Sequence, residues 1–444
     1  MTHERNYPQL AGLLLLFVLP GLIAAQEDET GSALPRPVTR AAQETPSWFS
    51  VGAAYRFRFE SRQADGFREG NDDSYGLHRV LVDIGVEPKP WLNFHFQGQD
   101  ARAPGKANAT PLFRDPFDVR QAWVEIGDPE KGWLHARVGR QELNYGAQRL
   151  IGPLDWTNTA RQFDAAKVSV GKDDLGFDVF AASVVEIDDQ DFNRHRDGHN
   201  LHGIYGRLNR LVPGSKLEAF VLWKTTPLVI SGNGQAGDAD TYTAGVRFVR
   251  SLGAGFDTEM EAARQFGTFG VDDISAWGGY WILGYTPPGV KLSPRFSAEY
   301  QCGSGDSDPE DGKYHTFDQL FPTGHLYQGT ADRIGWRNIS DVRAGVAIKP
   351  HPKVNLTFDH FSFWLANRND NLYAVNGSVA VAVPEGGAAD TYVGQEIDAI
   401  LSWKPEEHVT VGAGAGYFIP GRFLKDTTPG DRHTFGYLFL NYVL

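Results

Sequence analysis

The chain has 444 residues, of which 41% are hydrophobic and 12% aromatic, and it carries a net charge of −13. The acidic balance argues against a nucleic-acid partner, and the single cysteine, Cys302, leaves no pair for an intrachain disulfide. Beyond the N-terminus no run of 18 apolar residues occurs, which excludes a helical membrane protein. The negative mean hydropathy remains compatible with a membrane β-barrel, because alternate residues of every spanning strand face water.

The N-terminus has the features of a secretory signal peptide. Arg5 supplies a basic start, residues 10–19 are apolar, and Ala24 and Ala25 provide small residues for cleavage. We therefore expect three regions: a signal peptide over residues 1–25, a polar periplasmic tail over residues 26–47, and a single domain over residues 48–444.

From Trp48 onward apolar and polar residues alternate with a period of two. Clear examples are residues 51–59, 80–86, 217–223, 242–248 and 397–403. This period, with one apolar face in each segment, is typical of half-buried β-strands. We identify no helical segment in the mature chain.

The connections between these segments alternate between short and long. Eight are short turns, such as residues 88–90 and 287–289. Nine are long and cover residues 61–74, 101–117, 140–162, 185–200, 225–240, 265–273, 303–338, 366–392 and 419–432. Seventeen connections imply about 18 antiparallel strands, and short periplasmic turns with long extracellular loops are typical of outer-membrane barrels. The sequence therefore predicts an all-β fold, a single transmembrane β-barrel in the bacterial outer membrane.

Aromatic and apolar residues at the strand ends agree with this prediction. Trp91, Trp133 and Trp403 each lie next to a short turn, where an aromatic girdle is expected. The final strand, residues 434–444, has one apolar face made of Leu438, Leu440, Tyr442 and Leu444.

A barrel of about 18 strands encloses a water-filled channel, and strand parity places both signs of charge on its wall. The basic residues include Arg58, Arg79, Arg137, Arg295 and Arg343, and the acidic ones include Glu218, Glu299, Asp359, Glu396 and Asp398. In one interpretation these charges neutralise each other and stiffen the wall. In the other, unpaired arginines cluster at a constriction, where a low dielectric strengthens their attraction for a passing anion.

The loop at residues 140–162 favours the second interpretation. Arg140, Arg149 and Arg161 lie in or beside this loop, and Asp164 follows it. We expect the three arginines to lie within reach of each other and of Asp164. Guanidinium groups suit carboxylates because they offer forked donors and stay charged. The sequence predicts an anion-selective constriction here.

Two motifs resemble the alginate-export family of outer-membrane barrels. The first is Gly139-Arg-Gln-x-Leu-x-Tyr-Gly146-x-x-Arg149-Leu-x-Gly152, followed by Trp156, Asn158, Arg161 and Phe163-Asp164. The second lies within residues 314–332 and includes Phe317-Asp-Gln-Leu-Phe-Pro-Thr-Gly-His325. This resemblance implies an 18-stranded monomeric pore whose arginine-lined constriction passes an anionic polymer. Alginate exporters have a long periplasmic gating loop, whereas every periplasmic turn predicted here is short. A general or anion-selective diffusion porin for small solutes is therefore the alternative.

Other sites have less support in the sequence. The acidic segments 188–191 and 306–311 could hold Ca²⁺, but neither has the spacing of a calcium loop, so we expect no cofactor. An enzymatic barrel would need a nucleophile with a base in reach. The nearest grouping is Asp359-His360-Phe-Ser362, and strand alternation places Asp359 on the face opposite His360. We predict a channel rather than an enzyme.

Together with the resemblance to the alginate-export family, which implies a monomer and an alginate-like polyuronate as the cargo, the sequence predicts passive export of an anionic polysaccharide. Small anionic solutes, outer-membrane lipid and periplasmic export proteins are the other expected partners. A purely structural or adhesive barrel is the remaining alternative, and it would show no conductance.

Overall fold

The computed structural model describes residues 46–325 and 327–444 of the chain; the expected signal peptide and almost all of the expected tail lie outside the described residues. The strands are β1 (Phe49–Gln63), β2 (Asp73–Lys89), β3 (Leu92–Arg102), β4 (Asp115–Ile126), β5 (Leu134–Gln141), β6 (Phe163–Lys172), β7 (Leu175–Glu186), β8 (Arg194–Arg207), β9 (Ser215–Ile230), β10 (Ala236–Gly253), β11 (Phe256–Phe269), β12 (Asp272–Tyr285), β13 (Arg295–Gly303), β14 (Lys313–Tyr314), β15 (Ile339–His351), β16 (Val354–Leu365), β17 (Leu372–Tyr373), β18 (Val379–Val381), β19 (Tyr392–Glu406), β20 (Val409–Pro420) and β21 (His433–Val443).

Eighteen of these strands, all except the short β14, β17 and β18, form one closed antiparallel barrel. Each pairs with the next along the chain, and β21 closes the ring on β1 with Gln63 opposite Thr434 and Ala54 opposite Val443. Closure removes free sheet edges, which a lipid environment does not tolerate. The predicted fold class and strand number are confirmed.

The alternation of residues separates an apolar outer wall from a polar lumen. On β1, Arg56 and Arg58 are buried inside the barrel while Phe59 on the other face is 40% exposed. The outward face of β21 carries exposed Leu438 and Leu440, as the sequence predicts. The tryptophans expected in the periplasmic girdle, Trp91, Trp133 and Trp403, are all exposed.

Three connections are less than half as long as the sequence-based expectation. The gaps between strands are residues 187–193, 231–235 and 270–271, where loops over 185–200, 225–240 and 265–273 were expected. Here the strands run on beyond the expected ends, and β9 and β10 pair as far as Ile230 opposite Ala236. Polar residues at these ends interrupt the apolar pattern, while strand pairing continues past register shifts at Gly237/Ala239 and Ser183/Val185.

The expectation of no helix is wrong for one short segment. An α-helix, α1 (Arg422–Thr427), lies between β20 and β21 and buries Phe423 and Leu424. Six residues are too few to show a 3.6-residue period in the sequence. Two single 3₁₀ turns occur at Asp65–Phe67 and Asn209–Leu211. None of the described helices is long and apolar enough to cross a membrane.

A barrel of this size has room inside, and two long loops enter that room. We call residues 142–162, between β5 and β6, the arginine loop, and residues 304–338, between β13 and β15, the second inward loop. Their buried apolar side chains form a core with wall residues of several strands; the loop members are Leu143, Leu150, Ile151, Phe317, Leu320, Ile334 and Trp336. The hydrophobic core of this protein therefore lies inside the lumen.

Candidate functional site

The arginine loop begins against the wall formed by β7 and β8. The Tyr145 ring stacks on Tyr205, with ring centroids 4.5 Å apart, and on Phe180 at 5.4 Å. Its hydroxyl donates a hydrogen bond to Asp178 at 3.2 Å. Gly146 follows with a positive φ of 57°, and a Cβ there would lie 2.9 Å from the Tyr205 hydroxyl. A glycine is therefore required for the loop to turn inward at this point.

The loop next reaches strands β12 and β13. Arg149 Nη2 lies 2.6 Å from Glu299 Oε1, and Nη1 donates to the Gln301 side chain. The guanidinium also covers the Tyr280 ring at 3.9 Å. The side chain is almost fully buried, so Arg149 fixes the loop to this wall.

The turn at Asp155 anchors the loop to β1, β2 and β4. Its carboxylate lies 2.6 Å from Arg120 Nη2, 3.0 Å from Arg79 Nη2 and 3.9 Å from Arg56 Nη1. Arg56 also donates to the main-chain carbonyls of Asp155 and Thr157, each at 2.7 Å. Burial opposes ionisation of Asp155, but the guanidinium groups of Arg79, Arg120 and Arg56 outweigh it and hold the pKa of Asp155 well below its usual range.

Trp156 connects both inward loops with the wall. The Arg58 guanidinium lies 3.8 Å from the centre of its ring, and the His325 ring stacks on it at 3.6 Å with an interplanar angle of 3°. Arg58 donates to the Trp156 carbonyl and is ion-paired with Glu60 at 2.7 Å. His325 Nδ1 lies 2.9 Å from Asp332 within the second inward loop.

The two loops also pair through their backbones. The amide of Gly152 donates to the Phe321 carbonyl at 2.9 Å, and the amide of Phe321 donates to the Leu150 carbonyl at 2.8 Å. The amide of Thr323 donates to the Gln148 carbonyl at 2.9 Å. The loops thus form one connected unit across the lumen rather than two independent flaps.

Arg161, near the end of the arginine loop, differs from the other arginines. Its Nη1 donates to the carbonyls of Pro322 at 2.9 Å and Gly152 at 3.2 Å. No carboxylate within residues 46–325 or 327–444 lies within ion-pair distance of it. Burial lowers the pKa of Arg161 to about 10, so the group remains charged at neutral pH.

The structure does not gather the three arginines as expected. Arg140 belongs to β5 and binds Asp164 on β6 at 2.9 Å, Arg149 contacts β13, and Arg161 contacts the second inward loop. The expectation that they lie within reach of each other is therefore wrong, because the loop crosses the lumen between them. Only Arg140 contacts Asp164 among the three.

The remaining predicted arginines line the wall in ion pairs. Arg137 binds Glu125 at 2.9 Å, Arg343 binds Glu299 at 3.0 Å and Asp359 at 2.8 Å, and Arg295 binds Asp257 at 2.5 Å. Seven of the eight predicted arginines therefore have a carboxylate partner, and Arg161 is the exception. Most of the predicted lumen arginines are therefore neutralised by a carboxylate.

Lys167 on β6 is a second lumen cation without such a partner. It lies directly opposite Arg137 in the β5–β6 pairing, and no carboxylate of the described chain lies within ion-pair distance of Lys167. Like charges placed opposite each other are unfavourable. Among the described residues, Lys167 and Arg161 are thus lumen cations whose charge no carboxylate at ion-pair distance compensates.

Sequence reasoning missed Asp155 and Arg120. Arg120 lies at a β-bulge, where Gln97 pairs with Gln121 and Gly98 with Val119. The extra residue reverses the inward parity, so Arg120 and Glu125 both face inward although their numbers differ in parity. One feature of the sequence does point to Asp155, namely its position between Gly152 and Trp156 of the first motif.

The possible catalytic group at residues 359–362 and the possible metal sites do not form in the described structure. His360 is exposed on the outer face and pairs with Gln395 at 2.9 Å. In the part of the chain that the structure describes, no three His, Cys, Asp or Glu side chains are grouped so as to hold a metal ion.

A closed 18-stranded barrel with an apolar outer wall and a charged lumen is the structure of an outer-membrane channel. The sequence family described as alginate export matches residues 47–437. The chain belongs to the alginate export family. No curated protein matches the chain.

Solved structures of Pseudomonas aeruginosa proteins share the fold. OccK11 (OpdR) is 15% identical with a TM-score of 0.56, and the match covers 89% of this chain and 96% of that one. OpdO is 12% identical with a TM-score of 0.60, covering 89% and 97%. OpdK, solved with vanillate, is 11% identical with a TM-score of 0.60, covering 89% and 98%. At these identities the likeness concerns the fold.

Proposed function

We propose that this outer-membrane channel passes an anionic polysaccharide of the polyuronate class, outward and without an energy source at the barrel. The observation that carries the proposal is the unpaired guanidinium of Arg161, held by two carbonyl oxygens beside the junction of both inward loops. The family assignment favours a uronate polymer as the cargo.

In this mechanism the anion exchanges water for weak contacts with lumen cations. Arg161 lies on the side of the long loops, and Lys167 lies further toward the short turns. Several weak sites suit conduction better than one tight site, because the solute must also leave. The paired arginines, such as Arg79 and Arg149, hold the loops that shape the path.

A small-solute porin is the second candidate. The observation that favours it is the backbone pairing of residues 148–152 with residues 321–323, which ties two loops together across the lumen. An interlocked pair leaves less room for a polymer than an open barrel would. The structure of OpdK, a protein of the same fold, was solved with the small carboxylate vanillate.

Block of ionic current by uronate oligomers of increasing length distinguishes the two candidates. A polymer channel should show blocks whose duration grows with chain length, because each added sugar prolongs occupancy of the path. A small-solute porin should respond to monomers such as glucuronate and show no such growth. Hydrolysis of these probes by the purified protein would overturn both channel proposals in favour of an enzyme.

We further propose that the barrel works as a monomer without a cofactor and that periplasmic export proteins supply its cargo. The described chain closes its own ring of strands through β1 and β21. Molecular mass in detergent tests the monomeric state, current measured after chelation tests the absence of a metal cofactor, and co-purification of periplasmic proteins with the barrel tests the third point.

A further inference from the structure

The tip of the second inward loop, residues 329–331, rests on two carboxyl groups of β19, those of Glu396 and Asp398. The amide of Ala331 donates to Glu396 Oε1 at 2.8 Å, and the amide of Thr330 donates to Asp398 Oδ2 at 2.9 Å. The two carboxyl groups are within hydrogen-bonding reach of each other. Both are buried, Glu396 completely.

Two glycines make this close approach possible. Gly329 has a positive φ of 90°, and a Cβ there would lie 2.5 Å from Glu396 Cδ. A Cβ on Gly416 would lie 2.9 Å from Glu396 Oε1 and 3.0 Å from Asp398 Oδ1. The backbone of the tip and the wall of β20 therefore enclose the carboxyl pair on both sides.

No basic side chain within the described ranges compensates the pair at ion-pair distance. The charged and titratable groups around it pair with other partners: Glu60 of β1 with Arg62, Asp359 of β16 with Arg343, His325 of the loop with Asp332, and Arg333 of the loop with Asp65. Arg62 also donates to the Ala331 carbonyl of the tip at 3.1 Å, a contact that does not depend on the protonation of the pair. Tyr437 of β21 contacts the rings of Trp156 and His325.

The unsatisfied atoms indicate what completes the site. Glu396 Oε2 and Asp398 Oδ1 are buried and have no hydrogen-bond partner. One proton held between the two groups would supply the pair with a hydrogen-bond donor and remove one of two like charges. Two carboxylates in contact in a buried site do not both stay ionised.

We propose that Glu396 and Asp398 form a proton-operated latch: they share one proton while residues 329–331 are docked on them, so acid strengthens docking of the second inward loop and alkali weakens it. When the tip lifts, lumen water reaches both carboxyl groups and the shared proton is released. The docked state therefore binds one proton more than the undocked state. By linkage, the docking equilibrium changes by up to about tenfold per pH unit within the window where the pair titrates.

The latch is tested by labelling the loop tip, which requires no conduction and so is independent of the proposed cargo. In a Cys302→Ser background, Gln328→Cys reports the buried tip and Glu310→Cys reports an exposed site on the same loop. The ratio of their maleimide reaction rates cancels the pH dependence of the thiol itself. We expect this ratio to rise from pH 5 to pH 9 in the otherwise unchanged protein.

Variants separate the latch from general pH effects. Glu396→Gln places an amide donor where the shared proton lies, so the ratio should stay low at every pH; Asp398→Asn should do the same from the other side. Asp83→Asn, which changes a buried lumen carboxyl on β2, should respond to pH as the unchanged protein does. A ratio independent of pH, a pH response that survives both Glu396→Gln and Asp398→Asn, or a ratio governed by Ca²⁺ and its chelation would each overturn the proposal.

Discussion

Replacing Asp155 with asparagine tests whether ion pairs hold the arginine loop in the lumen. The carboxylate lies 2.6 Å from Arg120 and 3.0 Å from Arg79, while asparagine keeps the shape and loses the charge. Removing one partner of a buried ion pair costs about 3–5 kcal/mol, because the remaining charges stay buried without compensation. The cost should be larger than that of any single exposed pair in the lumen.

We expect this cost to appear in the loop rather than in the barrel. The loop can leave the wall while the 18 strands keep their hydrogen bonds, so local opening needs less free energy than unfolding. A loss of about 3 kcal/mol raises the population of detached loop by roughly 100-fold. Hydrogen exchange of amides in residues 142–162 should accelerate by about that factor, while exchange in β1 and β2 stays unchanged.

Asp164→Asn is the matched control. Its carboxylate binds Arg140 at 2.9 Å, but its side chain is 33% exposed, so the loss should be about 1 kcal/mol or less. Equal acceleration of exchange in both variants, or none in Asp155→Asn, would refute the ion-pair account and assign the anchoring to packing.

Three further predictions concern the same unit. Trp156→Ala removes the ring between Arg58 and His325, so exchange should accelerate in both inward loops; a response confined to the arginine loop would contradict the connection. Asn158→Ala removes an amide nitrogen that lies 3.0–3.1 Å from the carbonyls of His78 and Arg102 on the wall and of Phe113 in the β3–β4 loop, which should destabilise loop docking by about 1–3 kcal/mol in the same assay. Because the pKa of Asp155 is depressed, its contribution is complete above the ordinary carboxyl pKa of about 3.9 and is lost only in stronger acid. Hydrogen exchange in residues 142–162 should therefore show no acid-induced opening down to about pH 4, and an opening transition near pH 5 that Asp155→Asn abolishes would count against this assignment.

The barrel could be predicted from the sequence because its signals are local. Alternation over residues 51–59 or 397–403 reports which side of one strand meets lipid, and turn residues mark where strands end. Loop lengths could not be predicted as well, because β9 and β10 continue as a hairpin beyond the apolar segments that mark them in the sequence. The helix α1 has too few residues to show the 3.6-residue period of an amphipathic helix in the sequence.

The ion pairs of the lumen could not be predicted in the same way. Arg149 and Glu299 are 150 residues apart in the sequence and meet only because the loop crosses the barrel. Strand parity identified Arg58 and Arg79 as lumen residues but gave no information about their partners. Parity failed for Arg120, where a bulge adds one residue to the strand.

We expect the unpaired positive charge of Arg161 to make the lumen favour anions. A unit charge about 6 Å from a permeating ion in water-like dielectric contributes roughly 0.7 kcal/mol, which favours an anion and disfavours a cation by equal amounts. Neutralising it should therefore lower the anion-to-cation permeability ratio by up to about tenfold. The paired Arg295 offers a control, because its charge is already compensated by Asp257.

Reversal potentials in planar bilayers under a salt gradient measure this ratio directly. We expect anion selectivity for the unchanged channel, a clear reduction of the anion-to-cation permeability ratio in Arg161→Gln, and a smaller reduction in Arg295→Gln. Cation selectivity in the unchanged channel, or a ratio that Arg161→Gln leaves as it was, would contradict this expectation.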